Sequence, residues 1–353
     1  MRKSLYILLF LLLITLSGCM KWEYGSTEEF SATSKGLFIV NEGNFQYGNA
    51  SLSFYNPQTR AVENEVFKRA NAFKLGDVAQ SMTLHGGKGW VTVNNSHVLF
   101  AIDPVTFREV GRITNLPSPR YIHFLSEEKA YITQIWDNRI LIVNPKRYEV
   151  IGEILCPGML AESGSTEQMV QLGAYLYVNC WSHQNRLLKI DTRSDQVVDE
   201  LVVGIQPTSL VLDKAGKLWT LTDGGLEHGP YGYETPALYR IDPIAFCIEQ
   251  RFPFTLGDSP SELQLNGAGD RLYWINGDIW AMPIEAESLP LRPFLKARDT
   301  KYYGLTIDPI SEEVYVADAI DFQQQGIVYR YSAEGVLTDE FYVGITPGSF
   351  CWK

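Results

Sequence analysis

Loops rich in aromatic and amide side chains recur along this chain, each directly after a short apolar segment. One spans 41–47, and another spans 179–185, where Trp181 and His183 stand among asparagines. Amides and phenols supply directed hydrogen bonds without net charge. An exposed aromatic ring on a loop is stabilised when a ligand covers it and removes its apolar surface from water. The combination favours capture of a ligand over bond-making chemistry. The candidate ligand-binding residues are Asn41, Tyr47, Asn94, Trp136, Asn138, Trp181, His183, Asn185, Tyr231, Tyr233, Phe322 and Gln323.

Two structural interpretations compete with ligand binding at these positions. Asparagine and glycine are good turn formers, so Asn94 could serve only to reverse the chain. The rings of Trp136, Trp181, Tyr47 and Tyr231 could instead pack between neighbouring structural repeats. The clustering of these residues in one class of loop is what favours binding.

Catalysis has little support in the sequence, which lacks a nucleophile elbow, a histidine-rich metal motif and a glycine-rich phosphate loop. Glu42, Asp223 and Asp321 are acids that could surround a metal, as in a propeller enzyme of the lactonase or lyase type. We expect no catalytic residue, no metal site and no cofactor. The enzyme class remains an alternative, as does a protein-interaction scaffold that covers the same rings with a partner protein.

A repeat of roughly 40 to 50 residues positions these loops. Its clearest mark is Asn or Asp followed by Pro after a short strand, as at Asn56-Pro57 and Asp103-Pro104, where a tight turn begins. Each repeat also opens with a small or proline-led strand. The seven openings are Ala79-Gln80-Ser81, Pro119-Arg120-Tyr121, Thr166-Glu167-Gln168, Pro207-Thr208-Ser209, Pro260-Ser261-Glu262, Tyr302-Tyr303-Gly304 and Pro347-Gly348-Ser349.

Seven openings predict an all-β fold, a seven-bladed β-propeller over 36–353, with a β-sandwich as the alternative. The seventh opening leaves room for one strand before the C-terminus, whereas the chain begins at the second strand of a blade, Gly36–Val40. The C-terminal strand should therefore complete the N-terminal blade and close the ring. Loops after each second strand should then share one face, and the short first-to-second turns should lie on the other.

The N-terminus predicts export. Residues 1–18 combine a basic start, Arg2 and Lys3, with an apolar run too short to span a membrane permanently, and so they read as a signal peptide. Small residues before Cys19 resemble a bacterial lipobox, which implies lipidation of Cys19. Residues 19–35 are polar and are expected to form a flexible tether. The expected location is the outer membrane, lipid-anchored, with the cell surface favoured over the periplasmic side.

Net charge and cysteine spacing limit the possible binding partners and thiol chemistry further. A formal net charge of −11 makes nucleic acid a poor partner. Cys156, Cys180, Cys247 and Cys351 show no metal-like spacing, so four free thiols are expected, with one disulfide as the alternative.

The opening of the first repeat resembles a known family. Residues 36–44, which read Gly-Leu-Phe-Ile-Val-Asn-Glu-Gly-Asn, followed by 50–55 after a lipobox, are similar to the vitamin B12-capturing surface lipoproteins of gut Bacteroides. This resemblance implies that the chain binds cobalamin or a related corrinoid and delivers it to a TonB-dependent outer-membrane transporter that it caps. A loop histidine, His97, His183 or His228, could bind cobalt, although ordinary hydrogen bonding is the simpler role.

Overall fold

A computed structural model describes residues 27–32, 35–160, 162–298 and 300–353. Within these ranges the chain forms seven separate antiparallel sheets, six of four strands and one of three. The predicted all-β, seven-bladed propeller is confirmed. The predicted signal peptide, residues 1–18, and the predicted lipidation site, Cys19, lie outside the described residues.

The strands are numbered β1 to β27 in chain order and fall into blades one to seven. The first three are β1 (Leu37–Asn41), β2 (Ser51–Asn56) and β3 (Ala61–Glu63). Blades two and three contain β4 (Ala79–His85), β5 (Lys88–Val93), β6 (Val98–Ile102), β7 (Glu109–Thr114), β8 (Pro119–Ser126), β9 (Lys129–Gln134), β10 (Arg139–Asn144) and β11 (Glu149–Leu155). Blades four and five contain β12 (Thr166–Leu172), β13 (Tyr175–Cys180), β14 (Arg186–Asp191), β15 (Gln196–Val202), β16 (Pro207–Leu212), β17 (Leu218–Thr222), β18 (Ala237–Asp242) and β19 (Cys247–Pro253). Blades six and seven contain β20 (Ser261–Leu265), β21 (Arg271–Asn276), β22 (Asp278–Pro283), β23 (Tyr302–Ile307), β24 (Val314–Asp318), β25 (Gln325–Tyr331) and β26 (Leu337–Ile345), and β27 (Pro347–Trp352) ends the chain.

The two ends of the chain close the ring, as predicted. Strand β27 pairs antiparallel with β1, with Ile39 opposite Phe350, and the sheet order of blade one is β27-β1-β2-β3. The C-terminal strand is thus the innermost strand of the first blade. Closure leaves neither terminal blade with an unpaired inner edge.

Packing between blades explains why the middle strands are apolar on both sides. In β1, Phe38 and Val40 pack in one core cluster with Phe100 of blade two. Leu37 and Ile39 point the other way and join a cluster with Tyr315 of blade seven. Because side chains alternate along a strand, a blade between two neighbours must be apolar on both faces.

Tight turns joining the third and fourth strands follow one pattern. At Asp103, Oδ1 accepts the backbone N–H groups of Val105 and Thr106 at 2.8 and 2.9 Å. Four residues after the Asx residue, the backbone takes a positive φ, as at Phe107. The short polar side chain therefore fixes the turn that the sequence predicted. The same pair of positions recurs at Asn56 and Arg60, Asn144 and Tyr148, Asp191 and Asp195, and Asp242 and Phe246.

The propeller therefore has two distinct faces. We call the face that carries the loops after second strands and between blades the funnel face. We call the opposite one, with the short hairpin turns, the turn face. A six-residue helix, α1 (Val66–Asn71), follows the short β3 and packs Phe67 against Phe100 on the outside of blades one and two.

Residues 27–32 are packed onto the turn face. The ring of Phe30 lies edge-on to Phe107, with centroids 5.1 Å apart, and the Ala32 N–H donates to the Val105 carbonyl at 2.9 Å. Glu28 pairs with Arg69 at 2.6 Å. This stretch differs from the flexible tether expected over 19–35, because an aromatic ring and an ion pair fix it to the propeller.

The remaining expectations for the scaffold concern thiols and membrane helices. Cys156, Cys180, Cys247 and Cys351 are all free, so the alternative of one disulfide does not apply among them. No helix in the described ranges is long and apolar enough to cross a bilayer.

Candidate ligand-binding funnel

Every blade carries a β-bulge near the start of its innermost strand. In blade two, Ala79 pairs with Val93 but Ser81 pairs with Thr92, so Gln80 is an extra residue. A bulge re-aims side chains and is common next to binding sites. The extra residue falls at Gln80, Arg120–Tyr121, Glu167–Gln168, Thr208, Glu262–Leu263, Tyr303 and Gly348 in blades two to seven and one, respectively.

The bulges surround a cavity of about 580 Å³ that opens on the funnel face. We call this cavity the funnel. Bulge residues from all seven blades line it, and loop residues such as Trp136 and Trp181 surround its mouth. The polar residues that contribute to the lining include Glu42, Gln80, Asn94, Arg120, Tyr121, Glu167, Gln168, Thr208, Asp223, Ser261, Glu262, Gln264 and Tyr303.

We call the part of the funnel lined by Glu42, Arg120, Glu167, Glu262 and Tyr303 the floor. An ion pair forms one side of it. The Arg120 guanidinium donates from Nε to Glu167 Oε2 at 2.7 Å and from Nη1 to the side-chain oxygen of Gln80. Both members of the pair are largely shielded from solvent, with 15% and 3% of their side chains exposed. Breaking a buried pair by removing one partner leaves an uncompensated charge, so Arg120 and Glu167 belong together as a unit.

Glu42 occupies the space that the seventh bulge leaves open. A Cβ atom placed on Gly348 would stand 2.3 Å from Glu42 Oε1, so only glycine fits beside the carboxyl group. The Tyr303 hydroxyl donates to the two carboxyl oxygens at 3.1 and 3.2 Å. Burial raises the pKa of Glu42 to about 7, against the opposing effect of the Arg120 charge.

Glu262 is the least satisfied acid on the floor. Burial raises its pKa to about 8, and the neighbouring Glu42 carboxyl adds to the rise. Among the described residues no side chain or backbone group hydrogen-bonds to the Glu262 carboxyl, although it lines the funnel. Buried carboxyl groups normally have partners, so this one is suited to a partner that arrives from the cavity.

Two tryptophans at the mouth of the funnel are attached to the same short segment, 164–165. The backbone N–H of Trp136 donates to the Gly164 carbonyl at 2.7 Å, and that of Trp181 donates to the next carbonyl, Ser165, at 3.1 Å. Trp136 is 51% exposed. The Trp181 indole N–H donates to Asp223 at 3.1 Å. Trp136 is exposed, Trp181 is half-buried with its indole held by Asp223, and both line the cavity, which argues against packing between blades as their only role.

Six other predicted residues lie on loops of the funnel face but do not line the cavity itself. His183 stacks on Tyr231 with ring centroids 3.9 Å apart. Phe322 meets Tyr303 edge-on at 5.3 Å and so contacts the floor directly. Tyr47 is 75% exposed on the first loop. Tyr233 is exposed on the long loop between β17 and β18, and Gln323 on the shorter loop between β24 and β25.

Three of the predicted amides do not face the funnel. Asn41 is fully buried and donates to the hydroxyls of Ser53 and Ser51 at 3.0 and 3.2 Å, so its role is to hold the first loop. Asn138 and Asn185 accept backbone bonds at strand ends and are absent from the lining. Asn94 does line it, although its amide donates to Ser118. Local side-chain hydrogen bonds explain Asn41 better than ligand contact does.

The acids once considered for a metal do not converge. Glu42 lies on the floor, Asp223 fixes Trp181, and Asp321 caps its own loop through the N–H groups of Gln323 and Gln324. Among the described residues no group of three His, Cys, Asp or Glu side chains could hold a metal ion.

Sequence reasoning missed the floor. Glu42 was considered only as a metal ligand, and Arg120, Glu167, Glu262 and Tyr303 were treated as strand openings. The signal was nevertheless present, because six of the seven openings place a bulge residue at their second position. A polar residue repeated at the start of an otherwise buried inner strand indicates an axial site.

Comparison with protein families identifies the chain only at the level of a family. The profile of the family described as "Domain of unknown function (DUF5074)" matches residues 35–341, and the chain belongs to this family. No curated protein matches its sequence.

Solved structures share the propeller at low sequence identity. A quinoprotein alcohol dehydrogenase-like protein of Bacteroides thetaiotaomicron is 16% identical, with a TM-score of 0.67 over 93% of this chain and 80% of that one. A periplasmic gluconolactonase of Pseudomonas aeruginosa is 11% identical, with a TM-score of 0.66 over 90% and 99%. Likeness at this identity shows the fold alone.

Proposed function

We propose that this DUF5074 propeller captures a bulky ligand in its funnel, that the ligand is cobalamin or a related corrinoid, and that the protein does so as a lipid-anchored surface lipoprotein. The observation that carries the proposal is that two tryptophans, the exposed Trp136 and the half-buried Trp181, line a cavity of about 580 Å³ on the funnel face. Exposed aromatic side chains around a concave polar site are typical of ligand capture.

A corrinoid suits this mouth because its chemistry is mixed. It is a broad disc with a rim of neutral carboxamides and an apolar surface, so rings can cover the disc while amides and phenols bond its rim. The ligand class itself comes from the resemblance of residues 36–44 to the B12-capturing lipoproteins.

Titration of cyanocobalamin into the full-length, detergent-purified protein tests the proposal. Binding should appear both by calorimetry and as co-elution of the red chromophore with the protein on gel filtration. Cobinamide, which lacks the nucleotide loop, should distinguish recognition of the disc from recognition of the loop. Absence of binding of either corrinoid at about 100 μM would reject the ligand class, since capture proteins work far below that concentration.

Anchoring and delivery form the second part of the proposal. Lipidation of Cys19 would place the propeller at the outer membrane, and a TonB-dependent transporter would receive the ligand from the funnel. Mass spectrometry of the mature N-terminus tests the anchor. Co-purification with a transporter, in the presence and absence of the corrinoid, tests delivery.

One observation favours a second candidate function. Glu42 and Glu262 are paired acids whose pKa values burial raises to about 7 and about 8, a range suited to general acid–base catalysis. A propeller of similar fold is a gluconolactonase by its description. Hydrolysis of δ-gluconolactone faster than in buffer, abolished by Glu262→Gln, would favour an enzyme, whereas an unchanged rate favours capture alone.

A further inference from the structure

Few hydrogen-bond donors are directed at two of the carboxyl groups on the funnel floor. Among the described residues the Glu42 carboxyl accepts only from the Tyr303 hydroxyl, and the Glu262 carboxyl has no hydrogen-bond partner. Arg120 directs two of its N–H groups to Glu167 and Gln80 instead. A donor group of a ligand that enters the floor therefore meets carboxyl oxygens that the protein leaves unsatisfied.

The charges on the floor are also unbalanced. Arg120 is the only lysine, arginine or histidine among the described residues that line the funnel, and Glu167 neutralises it at 2.7 Å. Neither Glu42 nor Glu262 forms an ion pair among the described residues: the Arg120 charge acts on Glu42 without a direct contact, and the Glu42 carboxyl makes ionisation of Glu262 more costly. A positive charge between them would relieve both their desolvation and their mutual repulsion.

We propose that the floor is a subsite for a hydrogen-bond-donating group of the ligand, binds a protonated amine most tightly, and uses Glu42 and Glu262 as its counter-ions. The inference rests on the proposed use of the funnel as a ligand site, but not on the ligand being a corrinoid. In a corrinoid, a carboxamide N–H at the rim meets the same oxygens. The ligand class is thus one with an apolar body, covered by Trp136 and Trp181, and a donor group at one end.

Proton release should accompany amine binding. Near neutral pH Glu42 and Glu262 both exchange protons, since burial raises the pKa of one to about 7 and of the other to about 8. Amine binding favours their ionised forms, so affinity increases as pH rises from about 6 to about 8. The other charged or titratable groups that face them are Arg120, Tyr121, Glu167 and Tyr303; burial first of all raises the pKa of both tyrosines, which stay protonated in this range.

The experiment compares three probes of similar size on the full-length protein. Butylammonium, butanol and butyrate are titrated calorimetrically at about pH 6 and about pH 8. Butylammonium should bind at least about tenfold more tightly than the other two and should tighten by about tenfold between the two pH values. Its binding enthalpy should depend on the ionisation enthalpy of the buffer, because protons are released.

Variants assign the effect to the floor. Glu42→Gln and Glu262→Gln should each weaken the binding of butylammonium by about tenfold or more. Glu128→Gln changes an exposed glutamate on the turn face and should leave that affinity unchanged. Both floor variants remove a buried acid and keep its shape, so the melting temperature should hold or rise, and circular dichroism checks the fold.

Butanol or butyrate binding as tightly as butylammonium would overturn the subsite, as would unchanged affinity in both floor variants. These outcomes are distinct from failure of the corrinoid proposal. Amine binding without corrinoid binding supports the subsite and rejects the corrinoid. Corrinoid binding without any preference for the amine rejects the subsite and leaves capture in place.

Discussion

The same seven blades form both faces of this propeller, but the two faces differ in how far their polar and aromatic groups are satisfied by other groups of the protein. On the turn face, short Asx turns satisfy their own backbone, and residues 27–32 cover Phe107. On the funnel face, six of the eight exposed aromatic rings among the described residues stand on loops, and two acids on the floor form no ion pair with any described residue. Features that stabilise the fold are thus concentrated on one face, and costly, unsatisfied groups on the other.

The largest expected effect concerns ring closure, on which both faces depend. Truncation after Gly348 removes most of β27, the inner strand that pairs with β1, and should cost more than about 4 kcal/mol of stability or abolish folding. A chain that starts at Lys35 should retain the ring. Urea unfolding compares the two. Equal stability of the truncated and intact proteins would contradict closure by β27.

The next effect separates the funnel floor from the rest of the molecule by pH. Burial raises the pKa of Glu42 to about 7 and of Glu262 to about 8, so the folded chain holds protons that the unfolded chain has released. Stability should therefore fall as pH rises from about 5 to about 8, by on the order of 2 kcal/mol for each group.

The double variant Glu42→Gln, Glu262→Gln should flatten that slope. Glu128→Gln, whose side chain is exposed on the turn face, is the matched control and should leave the slope unchanged. Urea unfolding at several pH values measures the difference. A double variant with the wild-type slope would show that these acids do not hold protons near neutral pH.

The smallest effect tests the packing of residues 27–32 on the turn face. Phe30→Ala removes a partly buried ring from Phe107 and should cost about 1 to 2 kcal/mol without altering ligand affinity. Tyr47→Ala, at an exposed ring on the funnel face, should cost less than about 0.5 kcal/mol. Equal losses from the two variants would remove the contrast between a stabilising face and a binding face.

The blades could be predicted from the sequence better than the site could. Turn residues repeat along the chain, whereas the direction of a side chain at a bulge depends on the register between two strands. Turn chemistry at Asp103 and its counterparts repeats, so blade number, closure and the two faces could be derived. The rings of Trp136 and Trp181 were also found, since they follow strands directly. The charged floor was not, because polar residues at the second position of an opening also suit an ordinary strand start, and only the register shift at each bulge turns them towards the axis. Asn41 was predicted to bind the ligand, but its amide is buried and bonds to the protein. The sequence could not separate the two roles, because an amide at a strand end can hydrogen-bond to a neighbouring loop as well as to a ligand.

Calorimetric titration of cyanocobalamin into matched variants of the two faces tests the central claim, that binding resides on the funnel face. Trp136→Ala and Trp181→Ala should each weaken binding by about 2 kcal/mol or more, because a few aromatic anchors commonly dominate affinity. Ile310→Ala removes an exposed apolar side chain from the turn face and should change the affinity by less than about 0.5 kcal/mol. Normal binding by both tryptophan variants, together with loss of binding in the Ile310 variant, would contradict the account and assign the ligand to the opposite face.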